Sequence, residues 1–378
     1  MARSFRLALI AIPMLLSACA GGGSTSKQSA PAANEVVIGV AGPMSGDLAA
    51  FGEQLRRGAE QAVEDLNAEG GVLGKRVRLV VGDDQCDPRR AVRVANDLVE
   101  QGVVFVDGHF CSGSTIPASA IYSEAATVLQ ITPSSTNPMV TERGIATLFR
   151  TTGRDDMQGV FAGNWLAQNY AGKKVAVLDD RSPYGAGLAR EAEDALVANG
   201  QPPALRDTYT QKQRDFSPLI AKLKQAGIAI VYVGGYHNDV ALLVRQAREQ
   251  GFTGAFASGD AMNTAEFWSI SGSAGQRVRY TDGSSAVNLV SAKPVVEKLR
   301  AANYEPEGYT LPSYAAVQAW AAAAERAGTT DAEKVAAALH GATLSTVVGV
   351  LSWDDKGDLT NPAYAWYVWD NGRAVEEP

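Results

Sequence analysis

The chain has 378 residues, a net charge of −7 at pH 7 and an isoelectric point near 5.2. This length favours two domains over one. The acidic balance argues against a nucleic-acid partner, which requires a basic face. A composition of 46% hydrophobic and 20% charged residues is typical of a soluble globular protein, and no segment after residue 20 is long and apolar enough to span a membrane.

The N-terminus has the pattern of an export signal. Two arginines lie within the first six residues, residues 7–16 are apolar, and residues 16–19 read Leu-Ser-Ala-Cys. That tetrapeptide resembles the lipobox of bacterial lipoproteins, which implies cleavage before Cys19 and lipidation of its thiol. Ordinary signal cleavage after Ala20 is the alternative. In either case the protein is expected to be exported.

The segment that follows the export signal is rich in glycine and serine. We predict a signal peptide over residues 1–18 and a flexible tether over residues 19–35. The only membrane attachment expected is a possible lipid anchor on Cys19.

Residues 36–131 alternate between strand and helix patterns. The predicted strands are 36–40, 77–81, 103–106 and 127–131, and the predicted helices are 54–67, 89–101 and 116–125. Repeated strand–helix units predict a parallel sheet with helices on both faces.

After residue 152 the same alternation begins again, which predicts a second α/β lobe of similar size. Its predicted helices are 157–169, 188–199, 216–226 and 240–250, and its predicted strands are 175–178, 205–210, 228–233, 255–257 and 278–281. Three further helices, near 294–301, 313–326 and 332–340, are more than this lobe needs. We therefore expect the chain to return to the first lobe and a last strand, 364–369, to cross back, which makes the connection a hinge.

Two hydroxyl-rich turns follow neighbouring predicted strands between residues 108 and 138. The first turn contains Ser112, and the second contains Ser134, Ser135 and Thr136. Adjacent parallel strands place such turns side by side at their carboxyl ends, where ligands bind in open α/β sheets. Backbone N–H groups, a helix N-terminus and hydroxyls suit a small anion, and neither turn contains lysine or arginine. The sequence therefore predicts a carboxylate site.

Cys86 and Cys111 each follow a predicted strand. In an oxidising compartment a disulfide between their two neighbouring loops is expected, and it would hold the Ser112 turn in place. A nucleophilic Cys111 next to His109 is the alternative.

Asp83 and Asp84 could suggest a cation site, but we expect them in a solvated loop or paired with Arg89 or Arg90. The sequence contains no metal-ligand spacing such as H-E-x-x-H and no G-x-S-x-G nucleophile elbow. No metal site and no cofactor are expected.

Six short motifs, in order along nearly the whole mature chain, resemble the branched-chain (Leu/Ile/Val) amino-acid-binding proteins of bacterial ABC importers. They are Gly42-x-Met44-Ser45-Gly46, Asp83-Asp84-x-Cys86-Asp87-Pro88, Gly108-His109-x-Cys111-Ser112, Ile131-Thr132-Pro133, Gly234-Gly235-Tyr236-His237 and Trp353-Asp354-x-Lys356-Gly357-Asp358-Leu359. The resemblance implies a type I periplasmic binding-protein fold, in which two α/β lobes joined by three crossovers close on a ligand. We assign 36–153 and 282–360 to the N-terminal lobe, and 154–281 and 361–378 to the C-terminal lobe.

The resemblance also implies roles for ten residues. The ligand carboxylate would be bound at Ser112 and Thr136. The α-ammonium would be bound by the Ser134 carbonyl, the Thr136 hydroxyl and Asp260, which stands where the family has glutamate. The other candidates are Ser135 in the second turn, Tyr184 and Tyr236 over the ligand, and Phe51, Phe110 and Tyr309 around its side chain.

Two wall positions depart from the family pattern. Phe110 stands where leucine is expected, and Tyr309 stands where phenylalanine is expected. Both changes take volume from a close-packed site. Our hypothesis is a preference for a small neutral amino acid (alanine, proline, valine or a γ-amino acid such as GABA) over leucine.

These features predict a periplasmic, monomeric substrate-binding component that delivers an amino acid to the permease subunits of an ABC importer. One alternative is an amino-acid sensor that acts with a separate signalling partner. Another is a serine hydrolase that uses Ser112 or Ser114 with His109, but no orienting acid can be placed beside that histidine. We do not expect an enzyme.

Overall fold

The computed structural model describes Met1 and residues 34–377. The predicted signal peptide beyond Met1, Cys19 and most of the predicted tether lie outside the described residues. Glu35, predicted to end the tether, is the first residue of the first strand. Within the described part of the chain, no helix combines the length and the hydropathy that a membrane span requires.

The first sheet has five parallel strands in the order β2-β1-β3-β4-β5. Its strands are β1 (Glu35–Gly42), β2 (Arg76–Asp83), β3 (Phe105–Gly108), β4 (Leu129–Thr132) and β5 (Leu148–Arg150). The helices between them are α1 (Ala49–Ala68), α2 (Pro88–Glu100) and α3 (Ser112–Ala125). This is the parallel sheet that the strand–helix alternation predicts.

Strand β1 shows why helices cover both faces of this sheet. Successive side chains of a strand point to opposite faces. Ile38 packs in one hydrophobic cluster with Leu55 of α1, whereas Val37 packs in a second cluster with Leu98 of α2. Both faces of the strand are therefore buried, which explains its uninterrupted apolar sequence.

The second sheet has seven strands in the order β14-β13-β10-β9-β8-β6-β7. Its strands are β6 (Val175–Asp179), β7 (Leu205–Thr208), β8 (Ile230–Gly234), β9 (Ala255–Ser258), β10 (Arg279–Gly283), β13 (Tyr364–Asp370) and β14 (Arg373–Glu377). The helices beside them are α4 (Asp155–Asn169), α5 (Pro183–Ala198), α6 (Ser217–Ala226), α7 (His237–Glu249) and α8 (Ala265–Ser271).

One edge of this second sheet is antiparallel, which the prediction of parallel sheets did not include. Strand β13 runs antiparallel to β10 and forms a hairpin with β14. The hairpin turn is Asn371-Gly372, and both residues have positive φ angles. An Asn-Gly pair favours such a turn, so this dipeptide is the sequence signal for the strand that the prediction missed.

Three crossovers join the two sheets, as the resemblance implies: residues 151–154, 284–292 and 353–363. Between the second and third crossovers lie α9 (Lys293–Ala301), α10 (Thr310–Ala327), α11 (Ala332–His340) and a small hairpin of β11 (Thr343–Thr346) and β12 (Gly349–Ser352). We call the first sheet with α1–α3 and α9–α11 the first lobe, and the second sheet with α4–α8 the second lobe.

Helix α10 packs closely against α1 in the first lobe. A Cβ atom at Gly58 would lie 2.2 Å from the Thr310 carbonyl oxygen, so only glycine permits this approach. The Ser313 hydroxyl donates a hydrogen bond to the Leu55 carbonyl at 2.7 Å. These contacts fix the start of α10, and with it the position of Tyr309, the residue that precedes the helix.

A buried ion network joins the first and third crossovers. Arg150 has no solvent exposure, and its Nε donates to Asp358 Oδ1 at 2.6 Å. Arg154 donates to the other carboxylate oxygen at 2.6 Å, and the Trp353 indole donates to the Arg150 carbonyl at 2.8 Å. Charge-assisted hydrogen bonds therefore fix the first and third crossovers to each other, so the hinge is not made of unconstrained loops.

Candidate functional site

The two hydroxyl-rich turns lie side by side at the carboxyl ends of β3 and β4, as predicted. The Ser134 hydroxyl donates to the Phe110 carbonyl at 3.0 Å. The Ser135 hydroxyl donates to the Phe110 carbonyl at 2.9 Å and lies 3.1 Å from the His109 carbonyl oxygen. These two hydroxyls join the turns to each other, which positions the neighbouring residues Ser112 and Thr136.

Ser112 is the first residue of α3, four residues before the predicted helix start at Ile116. The first N–H groups of a helix have no partner within the helix. The Ser112 hydroxyl accepts a hydrogen bond from the Asn137 N–H at 3.3 Å. The buried Thr136 hydroxyl has no hydrogen-bond partner among the described residues. The start of α3 at Ser112 can therefore donate to an anion, and the Thr136 hydroxyl is available to a second polar group.

The predicted disulfide between Cys86 and Cys111 is confirmed, with a Cα–Cα distance of 5.5 Å. It joins the loop after β2 to the residue immediately before α3. The nucleophile alternative for Cys111 is therefore wrong, because the thiol is in a covalent bond.

The prediction of a solvated loop was wrong for Asp84. This residue is fully buried, and its carboxylate lies 2.6 Å from Nδ1 of His109. The other ring nitrogen of His109 lies 2.9 Å from the Tyr122 hydroxyl. The expectation that no acid lies beside His109 was therefore wrong, because Asp84 does. The second ring nitrogen is paired with Tyr122, and no hydrogen bond of the kind that a hydrolase would require joins His109 to Ser112 or Ser114 among the described residues.

Asp260 lies in the cleft between the two lobes, in a short 3₁₀ helix (residues 260–262) after β9. Tyr184 of the second lobe donates to its Oδ1 at 2.8 Å, and Tyr309 of the first lobe donates to its Oδ2. Burial raises the pKa of Asp260 above its ordinary value, although both phenolic hydrogen bonds oppose the shift. The acid thus meets residues from both lobes.

An aromatic wall surrounds the same cleft. Phe51 stacks on Phe110 with ring centroids 4.5 Å apart, and Tyr309 meets Phe110 edge-on at 4.9 Å. On the opposite lobe, the ring centroids of Tyr236 and Tyr184 are 5.1 Å apart. His237, which belongs to the motif Gly234-Gly235-Tyr236-His237 but was assigned no site role, meets Phe51 edge-on at 4.8 Å. Its place in that motif next to Tyr236 was the signal that could have indicated it.

All ten predicted site residues are buried in or around this cleft. The helix starts explain how several reach it. Helix α5 begins at Pro183, five residues before the predicted start, with the Ser182 hydroxyl accepting from the Gly185 N–H at 2.8 Å. Tyr184 therefore projects from a capped first turn rather than from a loop.

A cavity of about 550 Å³ lies on the hinge side of the cleft. Its lining includes residues of all three crossovers together with Pro133 and Tyr309. Ser112 and Asp260 do not line it. Of the ten predicted site residues, Tyr309 alone lines the cavity, so the cavity and the predicted ligand site adjoin at this residue.

Asp155, the first residue of α4, is a further buried acid that sequence reasoning missed. Its N–H donates to the Thr136 carbonyl at 2.9 Å. The sequence carried only a weak signal, since acidic residues are common in the first turn of any helix.

Two α/β lobes that meet over a buried cleft define the class of two-lobe ligand-binding proteins. The sequence pattern of the family described as "Periplasmic binding protein" matches residues 35–373. The chain belongs to the periplasmic binding protein family.

Two curated relatives are similar over most of the chain. An "Amino acid binding protein" of Pseudomonas aeruginosa is 47% identical over 340 residues, which cover 89% of this chain and 91% of the relative. The "Leucine-, isoleucine-, valine-, threonine-, and alanine-binding protein" of the same organism is 41% identical over 339 residues, with the same coverage of 89% and 91%.

A solved structure has the same architecture. The branched-chain amino acid transporter substrate-binding protein LivJ from Streptococcus pneumoniae, in complex with isoleucine, superposes with a TM-score of 0.82 and 27% identity. The match covers 91% of this chain and 100% of that chain.

Proposed function

We propose that this protein is the substrate-binding component of an amino-acid ABC importer, which captures a neutral amino acid or GABA between its lobes. The observation that carries the proposal is that a buried acid of the second lobe accepts a hydrogen bond from Tyr309 of the first lobe, whose ring packs against Phe110 next to the hydroxyl-rich turns. Asp260 comes from the second lobe, and Ser112 and Thr136 come from the first. Opposite charges at the two ends of a zwitterion fit this pair.

In this proposal the ligand carboxylate accepts hydrogen bonds from the N–H and hydroxyl of Ser112 and from the N–H of Thr136. The ammonium donates to the Ser134 carbonyl, the Thr136 hydroxyl and the Asp260 carboxylate. Such charge-assisted hydrogen bonds are stronger than neutral ones. None of the ten proposed residues is basic, so no side-chain cation in the set competes with the ammonium for Asp260, whose oxygens accept only from the phenols of Tyr184 and Tyr309 within that set.

The cover and the wall of the site set the ligand size. Tyr184 and Tyr236 would cover the ligand from the second lobe, while Phe51, Phe110 and Tyr309 would enclose its side chain. The rings of Phe51 and Phe110 stack with centroids 4.5 Å apart, and a close-packed wall tolerates little additional ligand volume. We propose a preference for alanine, proline, valine or GABA over leucine, and the shorter side chain of Asp260 would suit a displaced ammonium such as that of GABA.

Isothermal titration calorimetry with alanine, proline, valine, GABA and leucine tests this proposal. Alanine or GABA is expected to bind more tightly than leucine. Leucine binding far more tightly than the other four would overturn the size preference while leaving amino-acid binding intact. Failure of all five probes to bind would overturn the proposed function itself.

Ligand is proposed to bind first to the Ser112 and Thr136 side and then to be enclosed by Asp260, Tyr184 and Tyr236. Contacts made only in the closed form shift the population toward that form. Small-angle scattering should show a smaller radius of gyration at saturating ligand. An unchanged radius would contradict closure.

We further propose that the protein acts in the periplasm as a monomer, with the lobe boundaries predicted above, and delivers its ligand to a membrane permease. The first 18 residues would be removed, and Cys19 would carry a lipid. Mass spectrometry of protein extracted from membranes tests the anchor, since an unmodified N-terminus would exclude it.

A further inference from the structure

Asp155 is a buried carboxyl group for which the fold provides no partner. The residue has no solvent exposure, and neither of its carboxylate oxygens has a hydrogen-bond partner among the described residues. Burying a polar group without a hydrogen bond costs free energy, and for a charge the cost is larger. Buried polar atoms in native proteins are nearly always satisfied, so this exception requires an explanation.

The position of Asp155 at the start of α4 does not supply that explanation. An acid there can cap the helix by accepting from free N–H groups. The N-cap of α4 is Arg154, which has no side-chain cap bond, and the Asp155 oxygens accept from none of the first-turn N–H groups. The helix start is therefore not what keeps this acid in place.

The neighbouring arginines do not supply the explanation either. The guanidinium of Arg150 donates to Asp358, to Thr141 and to the carbonyls of Ser135 and Asn137. Arg154 pairs with Asp358, Asp156 and Glu142. Both cations are committed to the hinge network, and Asp155 has no direct ion pair within the described part of the chain.

The surroundings of Asp155 are those of the proposed ligand site. The Thr136 hydroxyl is also without a hydrogen-bond partner and lies near enough to Asp155 to favour its charged form, although no hydrogen bond joins them. Asp260 is the charge with the largest effect on Asp155. The single hydrogen of the Thr136 hydroxyl could satisfy at most one of the two Asp155 oxygens, so at least one carboxylate oxygen beside the acid already assigned to the ammonium still needs a donor. A group with several N–H donors and a positive charge would satisfy this oxygen.

We infer that Asp155 is a second acidic contact for the ligand's ammonium group, which Asp155, Asp260 and the Thr136 hydroxyl surround together. This inference rests on the proposed function and deepens it. Two carboxylates around one cation restrict the site to ligands that carry an amino group. Other ionisable groups that face or influence Asp155 are Asp156, Arg150, Tyr184, Tyr232, Tyr236 and Tyr364.

The test is calorimetry on Asp155→Asn with alanine and GABA as probes, paired with the melting temperature of the ligand-free protein. The variant is expected to lose roughly tenfold or more in affinity, the scale of a hydrogen bond to a charged group. Its ligand-free melting temperature should equal or exceed that of the wild type, because an unsatisfied buried acid has been removed. A purely structural residue would instead lower the melting temperature.

Asp156→Asn is the matched control. It removes the same charge one residue further along α4, where the carboxylate pairs with Arg154 and is partly exposed. Its affinity for both probes should stay within about twofold of the wild type.

Three results would overturn the inference. If the wild type binds alanine or GABA and Asp155→Asn binds it within about twofold, the second contact does not exist, while the proposed function stands. If affinity and ligand-free melting temperature fall together, Asp155 is structural. If the wild type binds neither probe nor any of the other three amino acids, the proposed function fails and the inference fails with it.

Discussion

Tyr309 donates a hydrogen bond from its phenol to the carboxylate of Asp260, across the cleft between the lobes. Tyr184 donates to the other oxygen of the same carboxylate at 2.8 Å. Burial raises the pKa of Asp260, and the two phenols partly oppose that rise. One acid therefore links the closure of the lobes to the chemistry of the site, because its partners come from both sides.

Tyr309→Phe should favour the open form of the ligand-free protein. The substitution removes one hydrogen bond to a carboxylate, which is worth about 1.5–3 kcal/mol. We expect a larger radius of gyration by small-angle scattering. Tyr304→Phe is the control, since its phenol contacts Thr310 within the first lobe at 3.0 Å. Equal radii for Tyr309→Phe and the wild type would contradict the role of this contact.

Phe110→Leu should raise the affinity for leucine relative to alanine. The smaller side chain removes the ring that stacks on Phe51 and leaves room for a branched ligand. Filling that room should change the leucine-to-alanine affinity ratio by roughly tenfold or more. Calorimetry with both amino acids measures the ratio, and an unchanged ratio would count against Phe110 as the size determinant.

The same substitution in the core separates pocket size from stability. Phe105 is fully buried and stacks on Trp320 with centroids 5.1 Å apart. Phe105→Leu should lower the melting temperature and leave the affinity ratio unchanged. A shift in the ratio for this variant would mean that general loosening of the first lobe, rather than pocket volume, controls ligand choice.

Replacing both Cys86 and Cys111 by serine should lower the free energy of unfolding by roughly 3 kcal/mol, the loop-entropy value for cysteines separated by 25 residues. Affinity should also fall, because the bond holds the residue that precedes Ser112. Denaturant titration measures the first effect. Wild-type protein treated with a reductant should match the double variant, and a stability equal to that of the oxidised wild type would refute the prediction.

Asp358→Asn should destabilise the protein by about 3–5 kcal/mol, because Arg150 would remain buried without its counter-charge. Burial alone would raise the pKa of Asp358, but Arg150 and Arg154 outweigh it and lower the pKa below its ordinary value. A lowered pKa contributes stability that is present above the unfolded value of about 3.9 and is lost as the pH falls through the folded value.

Thermal melts from pH 7 down to pH 2 check this dependence. The gap between wild type and Asp358→Asn should be widest near neutral pH and should narrow on acidification. Asp355→Asn, an exposed change in the same crossover, should stay within about 0.5 kcal/mol of the wild type. A gap that does not vary with pH would show that the carboxylate charge is not what stabilises the hinge.

Much of the architecture could be predicted because it depends on local patterns. Apolar runs such as residues 36–40 and the helical periodicity of 54–67 indicate buried strands and covering helices, and the observed elements include both. Helix starts were predicted late at Ser112 and Pro183. The first turns there are small or polar, so hydrophobic periodicity does not detect them, although Ser182 is a recognisable cap.

The partners of individual polar residues could not be predicted in this way. Asp84 and His109 are 25 residues apart, and nothing local indicates that their side chains meet in the interior. Asp155 reads as an ordinary helix-start acid until the surrounding elements remove it from solvent. Burial and hydrogen bonding are properties of the packed molecule. Packing therefore determines which acidic side chains are exposed to solvent and which are buried without a hydrogen-bond partner.

The sequence by itself determined the two α/β lobes, the disulfide between Cys86 and Cys111, and the adjacency of the two hydroxyl-rich turns. Hydrophobic periodicity and the order of strands and helices along the chain are indicated by short stretches of the sequence. Only the tertiary structure decided that Tyr309 and Asp260 meet across the cleft, and that Asp155 is buried within the influence of Asp260 with no hydrogen-bond partner among the described residues. Tyr309 and Asp260 come from opposite lobes, and Asp155 and Asp260 are more than a hundred positions apart in the sequence. Packing alone brings these residues together.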